Sequence, residues 1–264
     1  IDPQYGWKTN EIGPLKIHTI GRQKTLEKVL ELLATDLEPD LKLICKKLAN
    51  LKGCYGLIVE TENWVLAAVD KVRGFPVFYT LNVEQFQISN SARLLQELMP
   101  PTVPDEQVLL DFKLSGIFTG SETASPYVRQ LLAGEVLFWE KGSIEPKLFR
   151  YFQYLPREEH GRKDKDWLEE FSDLNEIVFD RILEDAAGRP IWVPLSGGLD
   201  SRLIVCMLKQ RDCELETFSY GLPGNYEAKV ARRVAEQVGV PWHFEPVKRI
   251  SYRKFFHSNR RKAY

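Results

Sequence analysis

The sequence predicts two domains in series: an α+β domain built on antiparallel strands, then an α/β domain built on a parallel sheet. Three observations carry this reading. Between residues 53 and 91, short β-rich runs alternate with tight polar turns, which is the pattern of an antiparallel meander. Residues 155–165, Leu-Pro-Arg-Glu-Glu-His-Gly-Arg-Lys-Asp-Lys, are polar and broken, as a linker between domains is. From Asp166 onward, strand-length and helix-length segments alternate, which requires helical crossovers between parallel strands. The expected boundaries are 1–155 for the first domain, 156–165 for the linker and 166–264 for the second.

Length and composition fit this division. A chain of 264 residues, 44% hydrophobic and 28% charged, suits one large or two ordinary soluble domains with real cores. No apolar run has the length of a membrane span, and no signal-peptide pattern opens the chain at Ile1. A formal net charge of −1 argues against a dedicated nucleic-acid binder. The exception is Lys248 to Lys262, which carries basic residues and no acidic ones. The functional reading of that stretch is an anion- or nucleic-acid-binding arm; the favoured reading is a solvated helix face. Cys45, Cys54, Cys206 and Cys213 form no Cys-x-x-Cys pair, so no zinc site or redox dithiol is expected, and a reducing, cytoplasmic compartment is.

The elements follow in order. Residues 1–50 are the least informative. Gln23–Thr35 has Leu26, Val29, Leu30 and Leu33 at helical spacing, and Leu41–Leu51 reads as a second helix. Gly53–Val59, Trp64–Val69, Pro76–Leu81 and Gln85–Ser89 read as strands. Ser91 is placed to cap a helix over Ala92–Met99, which Pro100 and Pro101 stop. Asp105–Leu114 is a further helix. Glu135–Trp139 and Lys147–Phe152 form a last hairpin. After the linker come a long amphipathic helix at Asp166–Leu183, a strand at 191–196, a helix at 199–210, a strand at 216–221, a helix at 225–239 and a strand at 242–247.

The chemistry is concentrated in Ile191-Trp192-Val193-Pro194-Leu195-Ser196-Gly197-Gly198-Leu199-Asp200-Ser201-Arg202. An apolar strand ends in Ser-Gly-Gly, and a helix begins at once. Gly197 and Gly198 permit backbone angles closed to other residues and let main chain approach a ligand. A helix start presents unpaired N–H groups and the positive end of its dipole, which together form a phosphate site. The spacing is neither Gly-x-x-x-x-Gly-Lys nor Gly-x-Gly-x-x-Gly. In a parallel sheet the ligand sits at the carboxyl ends of the strands. Residues 196–201 fall there, with Ser219-Tyr220-Gly221 and the loop Leu222–Glu227 beside them.

Ser196-Gly197-Gly198-Leu199-Asp200-Ser201 resembles the pyrophosphate-binding loop of the ATP-pyrophosphatase (PP-loop) superfamily. Together with Tyr220–Glu227, Ala231–Gly239 and His243, it resembles the synthetase domain of the asparagine synthetase family. In the N-terminal half, Leu66–Tyr79, ending Gly74-Phe75-Pro76-Val77-Phe78-Tyr79, is similar to that family's Asp-Arg-x-Gly-x-x-Pro-Leu-Tyr-Tyr strand pair. Leu131–Gly134 and Phe149–Phe152 are similar to the closing segment of its glutaminase domain. Matches run from about residue 53 to 247.

The resemblance implies an N-terminal-nucleophile-hydrolase-like first domain and an adenine-nucleotide α-hydrolase-like second one. It implies an ATP-dependent ligase that activates a carboxylic acid as an acyl-adenylate and releases pyrophosphate; ammonia or another amine then displaces AMP. ATP and Mg are the implied cofactors. Leu195, Ser196, Gly197, Gly198, Leu199, Asp200, Ser201 and Ser219 are the implied nucleotide-binding residues, with Asp200 also the metal ligand. A homo-oligomer is compatible with this reading; a membrane is not part of it.

Two departures qualify the resemblance. Family glutaminases use an N-terminal cysteine, whereas residue 1 here is Ile and the first cysteine is Cys45; glutamine hydrolysis is therefore not expected. The family's later Gly-Asp-Gly-Gly-Asp-Glu loop has no counterpart, so 166–264 corresponds to the first part of a synthetase domain. The alternatives are a catalytically incomplete nucleotide- or partner-binding module and a tRNA-modifying PP-loop enzyme. Single residues keep two readings: Arg202 as phosphate contact or solvated arginine, Glu227 as ligand partner or helix-start carboxylate. Asp70 with Arg73 fits a structural turn, and His243 a structural histidine.

Overall fold

The computed structural model describes residues 1–21, 39–81, 86–156 and 159–247. The chain divides into two compact units, Ile1–Pro156 and Arg157–Tyr264. The helix expected at Gln23–Thr35 and the basic stretch Lys248–Lys262 lie outside the described residues.

The first unit is antiparallel sheets with helices. A six-stranded sheet has the order β1(Lys8–Ile12), β2(Leu15–Gly21), β3(Tyr55–Glu60), β4(Trp64–Val69), β8(Glu135–Glu140), β9(Lys147–Arg150). A second sheet places β5(Phe78–Thr80) between β6(Ile88–Ser89) and β7(Val128–Gln130). The single meander expected over residues 53–91 is therefore corrected. Its first two strands pair with each other, but β4 pairs next with β8, and β5 and β6 belong to the other sheet.

The reason is that β3, β4 and β8 bury both of their faces. Leu57, Val59, Leu66, Ala68 and Val136 pack on one side with Ile44 and Leu48 of helix α1(Leu41–Asn50). Ile58, Ala67, Val69 and Leu137 pack on the other with Val77, Tyr79 and Leu131 around the second sheet. A sheet covered on both faces needs a second layer that a simple meander does not supply. Asp40 starts α1 by accepting from the N–H groups of Lys42 and Leu43. Asp105 does the same for α3(Glu106–Ser115), and left-handed Gly116 ends it. Ser91 precedes α2(Ala92–Glu97) but makes no side-chain cap bond.

The expected Asp70–Arg73 turn is present. The Asp70 carboxylate accepts from the N–H groups of Tyr55, Val72 and Gly74 at 3.2, 2.8 and 2.9 Å, and Arg73 takes φ 56°. Above it, the Tyr55 and Tyr151 hydroxyls lie 2.7 Å apart, and Tyr151 donates to the Val69 carbonyl at 2.6 Å. Burial pushes the Tyr151 phenol up to about 12 and raises that of Tyr55 further.

The second unit is a parallel sheet with helices. Helix α4(Asp164–Ala186) begins inside the stretch read as linker and precedes β10(Ile191–Pro194). Then follow α5(Leu199–Lys209), β11(Leu215–Gly221), α6(Tyr226–Val238) and β12(Trp242–Pro246). The strands run in the order β10-β11-β12, parallel throughout. Phe179, Val193, Leu195, Val205, Leu208 and Ala231 are among the buried residues of their shared core.

No helix among the described residues is long and apolar enough to cross a membrane.

Candidate phosphate-binding site

The Ser-Gly-Gly loop sits at the carboxyl end of β10, the strand that ends at Pro194. Leu195 is 3% exposed, so its side chain belongs to the core. Its N–H donates to the Phe218 carbonyl at 2.8 Å, and its carbonyl accepts from the Ser219 hydroxyl at 2.6 Å. Ser219 is buried and also accepts from the Trp242 indole N–H at 3.0 Å. Leu195 and Ser219 thus tie β10, β11 and β12 together beneath the loop.

Ser196 and Ser201 brace the turn. The Ser201 hydroxyl accepts from the Ser196 N–H at 3.1 Å and lies 2.9 Å from the Ser196 hydroxyl. The Ser196 hydroxyl accepts from the Gly198 N–H at 3.1 Å. Gly198 occupies the cap of α5 and supplies no side-chain cap bond. The first-turn N–H groups of Leu199 and Asp200 are therefore left without a side-chain acceptor and point outward with the positive end of the dipole. Leu199 and Asp200 are exposed. The N–H of Gly198, one of the implied nucleotide-binding residues, is thereby committed to Ser196.

One of the two expected reasons for the glycines, backbone angles closed to other residues, is corrected as well. Neither has positive φ; Gly198 takes φ −79°. A Cβ on Gly197 would meet Glu227 Cα at 3.6 Å, and one on Gly198 the Ser196 hydroxyl at 3.3 Å. Backbone strain does not demand glycine at either place. What the missing side chains leave is open access to the turn.

The loop after β11 closes on the same place. Gly221 takes φ +142°, and a Cβ there would stand 2.8 Å from Asn225 Nδ2, so this position requires glycine. Asn225 caps α6 by accepting from the Ala228 N–H at 2.7 Å and donates to the Leu222 carbonyl at 2.9 Å. That brings Glu227 against Gly197. Sequence reasoning gave Glu227 no firm role, because its approach depends on the shape of the Gly221–Tyr226 loop. Arg202 lies along the loop, with a guanidinium nitrogen 3.5 Å from the Gly197 carbonyl and its buried Nε without a partner. His243 is paired with Glu216 at 2.7 Å and stacked on Trp192, consistent with a structural role. Among the described residues no group of three or more His, Cys, Asp or Glu side chains is gathered to hold a metal.

Residues 178–250 match the asparagine synthase family model. That span runs from the second half of α4 beyond β12 and contains the whole loop. No curated protein matches the chain. Among solved structures, glutamine phosphoribosylpyrophosphate amidotransferase from B. subtilis, complexed with ADP and GMP, is similar at 13% identity; the match covers 90% of this chain and 47% of that one, with a TM-score of 0.34. The allosteric regulatory enzyme of purine biosynthesis is similar at 14% identity, over 89% of this chain and 45% of its own, with a TM-score of 0.33. The chain spans less than half the length of either.

Proposed function

We propose that the second unit binds the phosphates of ATP at Ser196–Ser201 and belongs to an amide-forming ligase that resembles asparagine synthetase. The observation that carries this is the uncapped start of α5, held open by the Ser196–Ser201 brace at the carboxyl end of a parallel strand. The asparagine synthase match over 178–250 supports the same reading. In this reading the first unit is a glutaminase-like domain of the N-terminal-nucleophile-hydrolase kind.

The reaction is carboxylate activation. A carboxylate oxygen attacks the α-phosphorus of ATP, the bond to the bridging oxygen breaks, and pyrophosphate leaves. An amine then attacks the acyl carbon and AMP departs. The leaving pyrophosphate concentrates negative charge, so fixed donors aimed at it lower the barrier. The N–H groups of Gly197, Leu199 and Asp200 supply such donors, and the Ser196 and Ser201 hydroxyls hold the turn and, with one proton shared between them, add one more. Leu195 and Ser219 frame the nucleotide by fixing the strand ends. The exposed carboxylate of Asp200 would fit Mg²⁺ carried in on phosphate oxygens, since Mg²⁺ needs only one or two protein carboxylates when phosphates complete its shell. Such an ion would neutralise phosphate charge.

The test is exchange of labelled pyrophosphate into ATP across a panel of carboxylic acids. Acid-dependent exchange that falls in Ser201→Ala supports the reading. Exchange unaffected by Ser201→Ala and by Asp200→Ala places the chemistry at another site.

A further inference from the structure

Across β1, β2 and β3 of the first unit, a hydroxyl, an imidazole and a carboxylate stand in line. The register sets Thr9 opposite His18 and Lys16 opposite Glu60. Thr9 Oγ1 lies 2.8 Å from His18 Nδ1, and His18 Nε2 lies 3.0 Å from Glu60 Oε1. His18 is 6% exposed, whereas Thr9 is open to solvent. A buried base thus faces a hydroxyl that a ligand can reach.

The carboxylate fixes the proton. Lys16 Nζ stands 2.7 Å from the same Glu60 oxygen. Burial opposes ionisation of Glu60, but the hydrogen bonds from Lys16 and His18 outweigh it and hold the carboxyl below its usual range. An ionised carboxylate only accepts, so the neutral imidazole carries its proton on Nε2 and turns the lone pair of Nδ1 to Thr9. A hydroxyl within hydrogen-bond reach of a base, itself oriented by a carboxylate, is the arrangement that activates a nucleophile.

The edge of the sheet supplies the remaining part. β1 is an edge strand. It turns into β2 through Gly13-Pro14, with Gly13 at φ 57°, so Ile12 and Leu15 close the hairpin as a hydrogen-bonded pair. Pair types alternate along an antiparallel ladder. Thr9 and His18, three pairs further on, are therefore a non-hydrogen-bonded pair. That brings their side chains close and turns the Thr9 N–H to the open edge. A free N–H beside a nucleophile can meet the oxyanion that forms in acyl transfer. Two residues before Thr9, the Trp7 ring lies against Gly56, where an added Cβ would stand 2.7 Å from it, and offers an apolar wall.

We propose that Thr9 is a nucleophile for acyl transfer from esters with a small apolar acyl group, with His18 as its base and Glu60 as a positioning residue. Thr9 Oγ1 bonds to the carbonyl carbon, and its proton passes to His18 Nδ1. The bond to the leaving alcohol breaks, and the alcohol oxygen takes that proton from His18. Water then attacks the acyl-threonine by the same route and releases the acid. The inference is independent of what the Ser-Gly-Gly loop binds.

The experiment incubates the full chain with p-nitrophenyl butyrate. Absorbance follows p-nitrophenolate release, and mass spectrometry of peptides locates the acyl group. The proposal predicts an acyl group on Thr9. Thr9→Val, a change at an exposed position that should leave the urea midpoint in place, and Glu60→Gln should each slow release about 100-fold. In Glu60→Gln the loss should fall on kcat with KM little changed, a split that a merely structural role would not give. Release by Thr9→Val at the wild-type rate overturns the proposal, and so does a folded wild-type chain in which Thr9 carries no acyl group.

Discussion

Removing the Ser219 hydroxyl should cost the second unit stability, by an amount the geometry sets. That hydroxyl donates to the Leu195 carbonyl at 2.6 Å and accepts from the Trp242 indole at 3.0 Å, in a residue that is 8% exposed. Ser219→Ala deletes both bonds and leaves a carbonyl and a partly buried N–H unsatisfied. An intramolecular hydrogen bond nets about 1 kcal/mol, and a stranded buried group costs about 1–3 kcal/mol, so the loss should be about 2–3 kcal/mol. Urea unfolding followed by tryptophan fluorescence measures it, with Trp242→Phe and the double variant completing a cycle. The cycle should return a coupling of about 1 kcal/mol between the two positions. A loss below about 0.5 kcal/mol, the range of ordinary surface changes, together with zero coupling, would refute Ser219 as the tie between the three strands.

Four further outcomes follow. Tyr151→Phe strands both the Val69 carbonyl and the Tyr55 hydroxyl and should cost about 1–3 kcal/mol, whereas Tyr55→Phe leaves the Tyr151–Val69 bond and should cost about 1 kcal/mol or less; thermal unfolding ranks them. Burial raises the Tyr151 phenol to about 12, so its contribution is complete below the ordinary phenol value and is lost as pH rises toward about 12; absorbance titration of tyrosinate should show late ionisation coincident with unfolding. Glu60 is held below the usual carboxylate range: burial opposes this, but hydrogen bonds from Lys16 and His18 outweigh it. Its contribution is therefore present above the unfolded value and lost as pH falls through the folded one, and Glu60→Gln should flatten the urea midpoint between about pH 6 and pH 3. Gly221→Ala drives a Cβ toward Asn225 Nδ2 and should cost about 1 kcal/mol or more through the lost α6 cap, read as a lower melting temperature that Gly239→Ala, with open space around its Cβ, reproduces only through backbone strain.

The alternation after Asp166 was readable because each helix and strand there has the length and apolar spacing its period demands, and α4 to β12 follow it closely. β3 and β4 were readable as short apolar runs separated by a polar turn. β1 was not, because all of Lys8–Ile12 is exposed and no apolar alternation marks it. The neighbour of β4 was hidden for another reason: β8 lies far along the chain, and such pairing is decided by which faces need cover rather than by any local signal. In the candidate site, the Ser-Gly-Gly turn and the helix start are local and were legible. The Ser196–Ser201 brace, the engagement of Gly198 N–H and the approach of Glu227 to Gly197 depend on loop geometry and on α6, and no residue pattern announces them.

The central claim is that the start of α5 is a live nucleotide-phosphate site. Calorimetric titration of the chain with ATP and magnesium, beside Asp200→Ala and Ser201→Ala, tests it most directly. The account predicts a Kd in the micromolar range, abolished by Asp200→Ala and weakened by Ser201→Ala in a chain that keeps its melting temperature. Equal affinity in all three chains, or no heat from a fully folded chain, would contradict it.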